Sequence, residues 1–242
     1  SFDYTASDGN AKIIKYASNL NAATTITIPE KIDDNIVRYI KDRMFICAAD
    51  IECVKIPGSV SSIKEGMFSG CHNLKKVELQ NGTTQIEGIA FYECDRLESI
   101  ELPESMEKIG ADAFWGCKDL KSINIPDNIT DIGSGAFAKC NSLVKISISN
   151  NASLKILEDT DLGYKYNDFY EYYEINPDAV IYCGNGSGAH QYAEKYGIKF
   201  ELTKPCLKHV WEDEEIIKKP ACDIDGVKEC ICKICKNVKK VT

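Results

Sequence analysis

The sequence predicts a repeat solenoid rich in parallel β-structure, and three observations carry that expectation. Phe68, Phe91, Phe114 and Phe137 stand 23 residues apart, as do Cys71, Cys94, Cys117 and Cys140, and Ile63, Ile86, Ile109 and Ile132. Leu74, Leu97, Leu120 and Leu143 keep the same step, and so do Val77, Ile100, Ile123 and Ile146, each followed two residues later by Leu79, Leu102, Ile125 or Ile148. Within each unit the apolar residues of the last segment alternate with polar ones, the period of a strand with one buried face. A fixed apolar frame at a period in the twenties marks units that bury their inner faces only against their neighbours.

Taken in order, residues 1–35 form a β-rich start with a turn at Asp8-Gly9-Asn10 and strand-like stretches over Lys12–Tyr16 and Thr24–Ile28. This start is expected to cap the array, because a first repeat left bare would expose apolar surface and open strand edges. Repeats are expected over 36–157, the earliest being looser: Ile40, Phe45, Ile51, Val54 and Ile56 precede their counterparts by one period, but Ala48 fills the cysteine slot. Residues 158–204 hold a tyrosine-rich stretch followed by a strand, helix and strand that close the array. Residues 205–242 make a separate cysteine- and histidine-rich module beyond Lys204-Pro205.

The unit, written I-x-x-x-A-F-x-x-C-x-x-L-x-x-I-x-I-P-x-x-I-x-x, resembles the BspA-type leucine-rich repeat over about two thirds of the chain. That resemblance implies a leucine-rich-repeat-like, right-handed β-rich solenoid with short helical turns. It also implies an adhesin-like, secreted or cell-surface protein that contacts an extracellular protein or glycan. The segment VIYCGNGSGAHQYAEKYGIKFEL is similar to the closing strand, helix and strand of such arrays.

Composition bounds the function. A net charge of −8 and a pI near 5.1 disfavour nucleic acid, whose phosphates demand a basic surface. No apolar run approaches the roughly 18 residues of a membrane span, and the start SFDYTASDGN lacks the basic and apolar regions of a signal peptide. A monomer is expected. Of twelve cysteines, four follow the repeat. Lying three residues after Phe and three before Leu, they share the inner face and are expected as buried free thiols, with a disulfide ladder as the alternative.

Candidate site residues fall in three groups. By repeat register the outward face of the stacked strands carries Lys55, Lys76, Glu78, Ser99, Glu101, Ser122, Asn124, Lys145 and Ser147, a surface either merely solvated or suited to a flat protein or glycan contact. Tyr164, Tyr166, Phe169, Tyr170, Tyr172 and Tyr173 crowd ten residues and serve as a lid over the core or as an aromatic binding loop. In the tail, Cys206-x-x-His209 and Cys232-x-x-Cys235 have the pairing of a tetrahedral zinc site. The tail resembles a Cys/His module at the ends of surface proteins of Gram-positive gut bacteria, although its first pair is C-x-x-H. Disulfides and an unliganded tail remain open there. Zinc held by four protein ligands would be structural.

Catalytic patterns are absent: there is no Walker loop, no G-x-S-x-G and no H-E-x-x-H, and His72, His190 and His209 lie in unrelated segments. Gly184, Gly186 and Ala189 satisfy a dinucleotide-type G-x-G-x-x-G/A, but no further strand-helix units follow, so no cofactor is expected for the repeats. The expected function is non-enzymatic binding, with a structural spacer or an intracellular interaction scaffold as alternatives.

Overall fold

The computed structural model describes residues 2–16, 24–148, 155–156, 178–184, 186–204, 228–231 and 238–241. The chain opens with β1 (Phe2–Ser7) and β2 (Asn10–Tyr16), then β3 (Thr24–Thr27), β4 (Lys31–Ile32) and β5 (Asn35–Ile40). In the array, longer strands alternate with two-residue ones: β6 (Ile51–Ile56), β7 (Ser62–Ile63), β8 (Lys76–Leu79), β9 (Gln85–Ile86), β10 (Ser99–Glu101), β11 (Lys108–Ile109), β12 (Ser122–Ile125), β13 (Asp131–Ile132), β14 (Lys145–Ile148) and β15 (Lys155–Ile156). Then come β16 (Val180–Gly184), helix α1 (Gly188–Tyr196), β17 (Phe200–Lys204), β18 (Lys228–Ile231) and β19 (Val238–Val241).

Three walls enclose one core. The first is parallel sheet from the longer strands, in two ladders ordered β3-β6-β8-β10 and β12-β14-β16-β17, with β10 beside β12. The second is the parallel ladder of short strands, β7-β9-β11-β13-β15. The third contains no strand. There the turns donate backbone N–H groups to the next turn: Phe45 to Met67, Phe68 to Ala90, Phe91 to Ala113 and Phe114 to Ala136, over 2.8–3.0 Å. Each repeat thus satisfies its main-chain groups mostly against the units on either side, the requirement that buried backbone imposes.

Short helical turns were expected on this third wall, and the structure replaces them with something tighter. Two residues per turn take left-handed backbone: Arg43 and Cys47, Gly66 and Gly70, Ile89 and Glu93, Gly135 and Lys139, with Asp112 and Gly116 between. A left-handed residue every fourth position stops α-helix from propagating and turns alternate N–H groups along the stack, where the next unit accepts them. Successive i to i+3 bonds, such as Cys71 N–H to Phe68 O and Leu74 N–H to Cys71 O, still bring Phe, Cys and Leu onto one buried face.

The core is a set of columns. The rings of Phe45, Phe68, Phe91, Phe114 and Phe137 stack nearly parallel, 5.1, 5.3, 5.3 and 5.4 Å apart in order. At the N-terminal end the tilted ring of Tyr16 lies 5.2 Å from Phe45, and Phe2 packs on Tyr16, so the column ends in the β1–β2 hairpin. Close approach between turns also fixes a glycine: a Cβ on Gly133 would lie 2.3 Å from the Ala111 amide nitrogen.

The cysteine column is built from free thiols. Each sulfur donates to the phenylalanine carbonyl of the preceding turn: Cys71 to Phe45 at 2.9 Å, Cys94 to Phe68 at 3.2 Å, Cys117 to Phe91 at 3.3 Å and Cys140 to Phe114 at 3.1 Å. Cysteine suits this slot because it is small and apolar yet carries a weak donor. Burial pushes the Cys71 and Cys140 thiols up from 9.0 to about 12 and raises Cys94 and Cys117 well above 9.0, because a thiolate there would be stripped of water. Cys47, by contrast, is exposed and Cys53 half-exposed.

Two outcomes follow from this column. Iodoacetamide on the native protein, read per residue by mass spectrometry, should modify Cys47 quickly and leave Cys94, Cys117 and Cys140 untouched until denaturant is added; rapid native labelling of Cys94 or Cys117 would contradict the packing. Because the folded thiols hold their protons beyond the unfolded value of 9.0, their contribution to stability is complete below pH 9 and is lost as the pH rises toward 12. Each should cost about 1.4 kcal/mol per pH unit within that window, measurable by urea unfolding.

Candidate functional site: the outer face of the parallel sheet

Alternation in the longer strands decides what reaches the surface. In β12, Ser122 and Asn124 are exposed while Ile123 and Ile125 are buried, and β14 repeats the pattern with Lys145 and Ser147 outward. Lys55 on β6, Lys76 and Glu78 on β8, and Ser99 and Glu101 on β10 occupy the equivalent outward positions. All nine lie on the first wall. Register aligns them in rows: Lys55 faces Glu78, which faces Glu101, while Ser122 faces Lys145 and Asn124 faces Ser147.

The N-terminal half of this surface is a charge network. Glu78 binds Lys55 at 3.0 Å and Lys76 at 2.8 Å, and Lys75 pairs with Glu52 at 3.1 Å. The hydrogen bond from Lys76, reinforced by Lys55, holds the Glu78 carboxyl below its ordinary range, and the same bond raises the Lys76 ammonium. These groups are open to water, so the network orients side chains more than it stabilises the fold. In the C-terminal half β12 carries the short polar Ser122 and Asn124, and on β14 the Lys145 ammonium sits 5.1 Å from the centre of the Tyr182 ring on β16.

Pairing between strands adds residues that the 23-residue step does not reach. Ser147 faces Tyr182, and Tyr182 faces Glu201, so the outward row runs Asn124, Ser147, Tyr182, Glu201 across the second ladder, with Glu101 one 23-residue step before Asn124 on the neighbouring β10. The alternation within VIYC, with Ile181 and Cys183 buried, was the available signal for Tyr182. A second surface feature lies on the third wall, where Tyr92 stacks on Trp115 at 4.5 Å and the Lys139 ammonium covers Trp115 at 4.4 Å.

The glycine motif before α1 is taken up by the protein itself. Ser187 caps the helix by accepting the His190 amide, and the Gly186 amide donates to Nδ1 of His190 at 2.9 Å. His190 is buried against the edge of Phe200, with Nε2 3.4 Å from Glu194. Cys183 beside Ser187 is pushed up to about 11 by burial, which the hydrogen bond from Ser187 only partly offsets. His72 is exposed, and its Nδ1 lies 3.1 Å from Asp95, which also pairs with Lys118 at 3.1 Å.

The aromatic cluster Tyr164, Tyr166, Phe169, Tyr170, Tyr172 and Tyr173 lies outside the described residues, and so do the tail residues Cys206, His209, Cys232 and Cys235. No group of His, Cys, Asp or Glu suited to a metal occurs among the described residues, and no described helix is long and apolar enough to cross a membrane.

Against known proteins, residues 38–160, about half of the chain, match the BspA type leucine rich repeat region in six copies. No curated protein shows significant sequence similarity to the chain. Among solved structures, the leucine rich repeat protein of T. pallidum is similar with 24% identity over 83% of this chain and 95% of that one, at a TM-score of 0.63. A leucine-rich repeat protein from Bacteroides ovatus has 25% identity over 78% of this chain and 55% of its own length, at a TM-score of 0.56. The pneumococcal vaccine antigen PcpA has 19% identity over 83% of this chain and 48% of its own length, at a TM-score of 0.58. The chain therefore spans about half the length of the latter two.

Proposed function

Because the chain belongs to the BspA type leucine rich repeat family, we propose that it is a non-enzymatic, secreted or cell-surface binding protein. On this reading the outer sheet face contacts an extracellular protein or glycan in an adhesin-like role, and the protein works as a monomer. The observation that carries it is the division of labour in the longer strands. Their inward residues are consumed by the core, while the outward residues of β6, β8, β10, β12 and β14 form a continuous surface whose side chains the fold does not require. A non-catalytic role is supported at α1, where the histidine nitrogens engage Gly186 and Glu194 and the buried Cys183 thiol is held protonated.

Since each strand offers only two or three outward side chains, affinity must accumulate over several repeats. Replacing Lys76, Glu78, Glu101 and Lys145 together by alanine should abolish binding to a panel of immobilised matrix proteins and glycans while leaving the melting temperature unchanged. Full retention of binding would move the contact surface to the segment Tyr164 to Tyr173.

The tail is proposed as a separate module stapled by structural zinc on Cys206, His209, Cys232 and Cys235, a reading supported by the spacing of the two pairs. Binding by thiolates would release protons and weaken as pH falls. Protein purified without added zinc or chelator should carry about one equivalent of metal, lost in the Cys232→Ser, Cys235→Ser variant while the repeats melt as before. Disulfides found by mass spectrometry in place of metal would overturn the zinc assignment.

A further inference from the structure

Hydrogen-bonding capacity is divided unevenly over the outer sheet. Toward the N-terminal end it is spent internally, since Glu78 takes both Lys55 and Lys76 and Glu52 takes Lys75. Toward the C-terminal end the row Glu101, Asn124, Ser147, Tyr182, Glu201 is differently composed. Glu101, Asn124, Ser147 and Glu201 form no side-chain hydrogen bond or ion pair with any described residue. Ser147 and Glu201 stand on the strands either side of Tyr182, whose ring is backed by Lys145, and Asn124 pairs with Ser147 one strand further on.

We propose that this row is a track for a neutral, hydroxyl-rich glycan laid across the strands, an assignment that rests on the outer sheet being the working surface. The chemistry of the row selects that class. A carboxylate and a carboxamide each offer two polar atoms side by side, matched to the neighbouring hydroxyls of a pyranose, and Tyr182 offers an apolar ring face on which the sugar's C–H groups can rest. Charge decides against anionic glycans: Glu201 closes the row at β17, Glu101 and beyond it Glu78 stand toward the N-terminal end, and the Lys145 ammonium is already engaged with Tyr182. A protein partner would want apolar anchors at the centre of the contact, and the exposed large hydrophobics among the described residues, Ile14, Tyr39, Ile46, Val144, Phe200 and Leu202, all lie off this row. The step fits as well. Strands repeat at about 4.8 Å, close to the length that one ring adds in an extended β-linked sugar chain, so successive rings meet successive strands.

Calorimetric titration with cellohexaose, β-1,4-mannohexaose and chitohexaose, and with a heparin hexasaccharide as the anionic comparison, tests the assignment. At least one neutral hexasaccharide should bind and heparin should not. Binding should weaken roughly tenfold in Asn124→Ala and in Tyr182→Ala, the loss of one good hydrogen-bonding or stacking contact, and stay unchanged in Lys12→Ala on the N-terminal sheet. Asn124 is fully outward, so its variant keeps the test decisive should Tyr182→Ala fail to fold, which a thermal melt shows. Failure of all three neutral sugars, tighter binding of heparin, or unchanged affinity in Asn124→Ala would overturn the glycan track. If the neutral sugars fail while the fourfold sheet variant still abolishes capture by matrix proteins, the track falls and the sheet as a binding surface stands; if neither responds, both fall.

Discussion

The near-parallel stack of phenylalanine rings, one per turn, is the constraint on which the rest of the architecture depends. It ties each turn to the next through offset rings whose centres lie 5.1–5.4 Å apart, an advance compatible with the strand spacing of the parallel ladders. Once that advance is fixed, every other column falls into place: isoleucines on the short strands, mostly isoleucine with some valine under the long ones, and cysteines whose thiols reach back to the phenylalanine carbonyl one turn earlier. The stack also explains why the ends need different chemistry. Tyr16 tilts against Phe45 and so breaks the parallel repetition where the array begins.

Function is pushed outward by the same constraint. The stacked columns repeat nearly the same buried residue types from turn to turn, so what distinguishes one repeat from the next lies mainly on the walls. On the first wall that variation is substantial. Charged, mutually paired residues at β6 and β8 give way to short uncharged ones at β12, and then to Lys145 on β14 set against Tyr182 on β16. A surface graded in this way along one axis presents different chemistry to different parts of an extended partner.

Much of this was legible in the sequence because the buried columns demand the same residue type at every turn. Phe68, Cys94, Leu120 and Ile146 announce their columns by simple subtraction, and alternation then assigns Lys76 or Asn124 to the outside. The third wall was not legible, for a physical reason. Its first left-handed position is filled by Arg43, Gly66, Ile89, Asp112 and Gly135, with no residue type in common, because the inter-turn hydrogen bonds impose the conformation. A β-branched residue such as Ile89 bears a strain of about 1–3 kcal/mol there, which those bonds offset. Tyr182 and Glu201 escaped the register because the chain between β14 and β16 is longer than one repeat, and only strand pairing shows which outward positions they extend.

The central claim is that each turn is held by its two neighbours through the ring stack and the ladders on the three walls. Hydrogen exchange followed by mass spectrometry on the Phe91→Ala protein tests it most directly. The account predicts that amide protection falls most at Gly66, Phe68 and Gly70 and at Asp112, Phe114 and Gly116, on either side of the missing ring, while the β1–β2 hairpin keeps its protection. An equal loss at every amide from β1 to β14, or no loss in the flanking turns, would contradict it.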